Sequence, residues 1–142
     1  MALQKQVTKF KDIDLVGQYY EPEWEGSPAG GGTSPEAMIV KQYRKDIVRY
    51  GSIDDDNSSY SFDDYSLIQI KGHGFFLLNT SGCSCPSPNE MWVVTLHGKT
   101  LPKLRKAFEA LAAVETYGVI MNQLSQFIEL FDFAKEQTKA KK

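Results

Sequence analysis

The sequence predicts an α+β fold: a two-layer sandwich in which a three-stranded antiparallel meander is covered by C-terminal helices. Three observations predict it. Residues 65–97 alternate apolar and polar side chains with the period of a strand, broken by turn residues. Residues 101–134 then change to the three-and-four spacing of an amphipathic helix. A helix-start signal, Ser34-Pro35-Glu36, stands ahead of both.

The elements follow in order. Residues 1–25 carry one weak alternation, Ile13, Leu15 and Gly17-Gln18-Tyr19, which reads as a short strand. Residues 26–34 are rich in glycine and serine, so the first 34 residues read as a partly flexible segment with a Gly-rich loop. In Ser34-Pro35-Glu36, serine caps the free amides, proline fits the first turn and glutamate favours the positive helix end. Ile39, Tyr43, Ile47 and Tyr50 recur at helical spacing, giving a helix over 35–50 with Gly51 as its C-cap. The β-branched Ile39, Val40, Ile47 and Val48 keep a strand reading open there. Residues 52–64 are polar and acidic and read as a loop.

Tyr65 to Lys71 is the first meander strand, with Ile68 and Ile70 on one side and Leu67 on the other. Gly72-His73-Gly74 supplies a tight turn, and Phe75 to Asn79 returns. A Ser/Gly/Pro loop over 80–90 leads to the third strand, Met91 to His97, with Trp92, Val94 and Leu96 on one face. Thr100 and Pro102 then open a helix carrying Leu101, Leu104, Phe108 and Leu111. A break or bend around 112–118 precedes the strongest stripe: Tyr117, Ile120, Met121, Leu124, Phe127, Ile128, Phe131 and Ala134. Residues 135–142 read as a polar tail.

The chain of 142 residues fits one domain, 1–142. Its net charge of −2 steers no polyanion toward it as a whole. Residues 1–65 carry a balance of −5 and residues 66–142 a balance of +3. No apolar run follows the first basic residue, and no apolar stretch is long enough for a membrane span, so the cytoplasm is the expected compartment. Two cysteines make no disulfide framework.

Cys83 and Cys85 are the sharpest chemical candidates, because thiolates two apart can share one metal ion and His73 and His97 flank them on neighbouring strands. In a meander, however, the 72–74 turn and the 80–90 loop fall at opposite ends of one strand, and His97 belongs with His73. The spacing also misses the common zinc patterns. A zinc site on these four residues, or a redox pair of the two thiols, is therefore the alternative, and no cofactor is the leading expectation. A cysteine nucleophile needs one of these imidazoles as base, and no local hydrolase signature accompanies it.

Asp54 to Ser58 begins like a calcium loop, but Ser59 stands where the glycine is needed and Tyr65 where the glutamate is needed. Gly30-Gly31-Gly32-Thr33-Ser34 has no following lysine and is no phosphate loop. Lys99, Lys103, Arg105 and Lys106 cluster at a helix start without interleaved aromatic residues, so nucleic-acid binding ranks third. Tyr19, Tyr20 and Trp24 mix with carboxylates in the manner of partner anchors. Leu130 and Phe133 fall outside the main apolar stripe and are assigned to a partner or a second copy, against the alternative of a helix buried on two sides.

The run Phe75-Phe76-Leu77-Leu78-Asn79-Thr80-Ser81-Gly82-Cys83-Ser84-Cys85-Pro86, followed by Trp92 and a Leu-rich helix, resembles segments of short uncharacterised phage and mobile-element proteins. The resemblance covers residues 66–111. It implies strand, Cys turn, strand and helix in a cytoplasmic accessory protein, and it implies no activity. The expectation is a non-catalytic accessory or regulatory protein that acts by binding another protein or by forming a homodimer, without a membrane.

Overall fold

A meander of five strands, each hydrogen-bonded to its sequence neighbour, organises the chain. The computed structural model describes residues 3–9, 35–54, 61–83, 93–114 and 119–139. The strands are β1 (Leu3–Lys9), β2 (Ile47–Ile53), β3 (Ser61–Ile70), β4 (Gly74–Cys83) and β5 (Val93–Gly98), every pair antiparallel. Helix α1 (Pro35–Gln42) and a 3-10 turn (Arg44–Asp46) precede β2. Helices α2 (Leu101–Val114), α3 (Val119–Asn122) and α4 (Leu124–Lys139) follow β5.

The α+β class therefore stands, and the count of three strands is corrected to five. The expected helix over 35–50 stops at Gln42, and residues 47–50 belong to strand β2. The β-branched Ile47 and Val48 pair with Ile70 and Gln69 of β3, and that ladder wins over the helical spacing. Gly51 is thus a strand residue and no C-cap. The expected 52–64 loop is shortened from both sides, by the end of β2 and by the start of β3 at Ser61. The Ser34 cap, the weak strand near Ile13, the 26–34 loop and Trp92 lie outside the described residues.

The β3–β4 hairpin has the expected form. Its turn spans 71–73, with the His73 amide donating to the Ile70 carbonyl at 2.9 Å. Gly72 and Gly74 take φ of 84° and 99°, a backbone region that side chains disfavour. Along the uninterrupted ladder, Tyr65, Leu67, Phe75 and Leu77 join one core cluster, and Ile68, Ile70, Phe76 and Leu78 join a second on the opposite face. β5 departs from expectation. Leu96 belongs to the first cluster and Val94 to the second, because a bulge beside Leu77 and Leu78 shifts the register between them.

Both faces of the sheet carry an apolar cluster, which corrects the two-layer arrangement. Helices α2, α3 and α4 pack on the face of Tyr50, Leu67 and Leu77, while Val40, Ile39 and Tyr43 pack on the other. The chain between 101 and 134 is more than one helix, and residues 135–139, expected as tail, extend α4. Tyr50 is fully buried; its hydroxyl donates to Gln69 Oε1, and burial pushes its pKa above 10.0.

Candidate functional site

Helix α2 is started by Thr100, whose Oγ1 accepts from the Lys103 amide at 3.3 Å and whose carbonyl accepts from the Leu104 amide at 3.0 Å. Its buried face is Leu101, Leu104 and Phe108. Helix α4 buries Phe127, Leu130, Phe131 and Ala134. The two helices meet through aromatic rings: Phe108 stacks on Phe127 at 5.0 Å and tilts against Phe131 at 5.2 Å, and Tyr65 from β3 meets Phe127 edge-on at 5.2 Å.

Gln123 fixes the start of α4. Its Nε2 donates to the Asp54 carbonyl at 2.8 Å and to Gln126 Oε1 at 3.0 Å. Its own carbonyl accepts from the Gln126 and Phe127 amides at 2.9 and 3.3 Å. This buried polar side chain, 4% exposed, ties the last helix to the end of β2, and sequence reasoning missed it.

Above the aromatic contact the α2–α4 seam opens to solvent as a furrow. One cavity, of about 300 Å³, is walled by Phe108, Ala112, Leu124, Ile128 and Phe131, with Glu109 at its side. The next, of about 290 Å³, is walled by Leu101, Pro102 and Phe131 and carries Lys135 and Lys139. Arg105 borders both, and its Nη1 donates to Asp132 Oδ1 at 2.7 Å across the seam. That exposed ion pair contributes under about 1 kcal/mol, so it positions more than it stabilises. Apolar surface lies open here and nearby: Ile128 is 39% exposed, Met121 45% and Val114 75%.

These positions revise the partner-facing assignment. Leu130 is 1% exposed and packs inside the monomer, so it is not available to a partner. Phe133 is half-buried against the same core. Ile128 and Met121, placed by spacing in the buried stripe, face outward instead. An apolar band this wide cannot all be covered by one sheet face, and spacing alone does not show which edge stays open. Tyr19, Tyr20, Trp24 and Cys85 lie outside the described residues.

The structure brings His73 and His97 together and sets Cys83 apart. The His97 Nε2 donates to the His73 carbonyl at 2.9 Å, and its ring stacks on Phe76 at 4.4 Å. The His73 ring rests against Tyr43 at 4.3 Å. Cys83 ends β4 opposite Ser61, nine residues on from Gly74, which is about 30 Å along a strand. Zinc ligands must converge within about 2.3 Å of one ion. Among the described residues, no group of three or more His, Cys, Asp or Glu side chains is placed to hold a metal. Among the same residues, no helix is long and apolar enough to cross a membrane. Comparison with protein-family models, curated proteins and solved structures finds no match to this chain.

Proposed function

We infer that the protein is a non-catalytic accessory or regulatory protein of the cytoplasm that binds a segment of another protein in the α2–α4 furrow. A phage or mobile-element setting, implied by the resemblance of residues 66–111, belongs to the same proposal. The observation that carries the reading is Ile128, a large apolar side chain left 39% exposed on the wall of a cavity with an aromatic base.

The furrow's chemistry describes its occupant. Apolar walls around Phe108 and Phe131 suit two or three apolar side chains at helical spacing. Lys135 and Lys139 at the other end, with no carboxylate on that cavity's wall among the described residues, suit an acidic flank. A second copy pairing about that end would set ammonium against ammonium, which disfavours self-association there.

Selection of a displayed random-peptide library on the purified full chain tests this. Enriched peptides should carry apolar residues three and four apart beside Asp or Glu. Ile128→Arg should abolish their capture, and Lys135→Glu with Lys139→Glu should turn the preference toward basic flanks. Absence of enrichment, or enrichment indifferent to these substitutions, overturns the reading.

A further inference from the structure

Three lysines line one cleft at one end of the sheet, and none of them is ion-paired among the described residues. Lys9 ends β1 opposite Val48, Lys45 sits in the 3-10 turn entering β2, and Lys71 opens the hairpin turn after β3. Because Ile47 pairs with Ile70, the 3-10 turn and the hairpin turn are neighbours, and β1 lies only two strand spacings, about 10 Å, from β3. The three side chains line one cleft of about 460 Å³, within the range of small-molecule sites. All three are exposed, and none forms an ion pair among the described residues, in contrast to Lys5 with Glu129 and Arg105 with Asp132.

Among the described residues one carboxylate, Asp46, shares the wall, so their lining carries a balance of two positive charges. Ile47 and Ile70, each 1% exposed, and the half-buried Val48 also line the cleft. Tyr43 completes the wall, its ring held in place by the His73 imidazole at 4.3 Å. Cations alone would attract any anion. Cations beside a braced aromatic ring select an anion that carries a planar group.

We propose that this cleft binds a nucleoside monophosphate: a phosphate monoester seated among Lys9, Lys45 and Lys71, with its base on Tyr43. A phosphate monoester carries close to two negative charges at neutral pH, which matches the lining. Asp46 is the acceptor within the same cleft for a sugar hydroxyl. The site is separate from the α2–α4 furrow and does not depend on its role.

Calorimetric titration of the full chain with adenosine monophosphate, adenosine and inorganic phosphate tests it at low ionic strength. The monophosphate should bind saturably and about tenfold or more tighter than either fragment, and added salt should weaken it. Lys45→Ala should weaken binding by about tenfold, the loss of one charged hydrogen bond. Combining it with Lys9→Ala and Lys71→Ala should abolish binding, while Lys103→Ala and Ile128→Arg leave it unchanged. No saturable binding of the monophosphate, equal binding of adenosine or phosphate, or binding indifferent to the three lysines overturns the proposal.

Discussion

Leu130 of α4 lies directly over Gly51 of β2: a Cβ built on residue 51 would stand 2.6 Å from Leu130 Cδ1 and would also collide with the Gln4 carbonyl oxygen of β1. Three elements thus meet where one residue has no side chain. Gly51→Ala forces either helix or edge strand to retreat, at a cost of about 2–3 kcal/mol. Urea unfolding measures it, and a loss below about 0.5 kcal/mol would mean the contact yields freely. Adding Leu130→Ala should not restore stability, because the Gln4 backbone remains in the way.

Ile128 and Leu130 should separate cleanly under the same substitution. Ile128→Asp alters an exposed position and should stay within about 0.5 kcal/mol of the parent. Leu130→Asp places a carboxylate in the core and should leave the chain unfolded at room temperature. Circular dichroism on heating distinguishes them. Equal destabilisation of both would refute the outward placement of Ile128.

Phe108 and Phe127 carry the helix-to-helix contact. Each Phe→Ala change should cost about 3–5 kcal/mol, and the pair should show a coupling of about 0.5–1.5 kcal/mol in a double-mutant cycle. Strict additivity would show that each ring is anchored by the sheet alone.

Ser66, opposite Leu78, and Thr80, two residues beyond Leu78, are buried on the α1 face, and neither hydroxyl has a hydrogen-bond partner among the described residues. Removing an unsatisfied buried hydroxyl removes its desolvation cost. Thr80→Val should therefore raise stability by about 1 kcal/mol, and Ser66→Ala should be neutral or slightly stabilising. A clear loss in both would reveal a polar partner for these groups.

Tyr50 gives the fold a pH dependence on the alkaline side. Its folded pKa is raised by burial above 10.0, so the unfolded chain ionises first. The contribution is fully present below pH 10.0 and is lost as pH rises beyond it toward the folded pKa. Unfolding midpoints measured from neutral to strongly alkaline pH should fall more steeply for the parent than for Tyr50→Phe. Parallel curves would show that residue 50 does not titrate differently in the two states.

How far the fold was legible depended on whether local pattern and pairing agreed. The β3–β4 hairpin was legible because Gly72-His73-Gly74 fits its turn and the alternation on either side is unbroken. β2 was not, because Ile39, Tyr43, Ile47 and Tyr50 recur four and three apart as in a helix, although Ile47 and Tyr50 face opposite sides of the sheet. β1 offered only Leu3 and Val7 among polar residues, too little for an edge strand to announce itself. The furrow was hidden for a different reason. Its walls come from residues that periodicity groups with the core, and only the packing of Phe127 and Leu130 shows that Ile128 is left outside. The lysine cleft was invisible because its members lie far apart in sequence and meet only through the β1–β2–β3 register.

The order of the strands sets the order of assembly. β3 and β4 are joined by a three-residue turn and zip without closing a long loop, and β2 and β5 join them across short connections. β1 must instead find β2 across residues 10–46, which adds closure entropy and holds it back until the other four strands are in place. The N-terminal strand is therefore the last to arrive and the first to peel away, and amide exchange along Leu3–Lys9 should run ahead of the rest of the sheet.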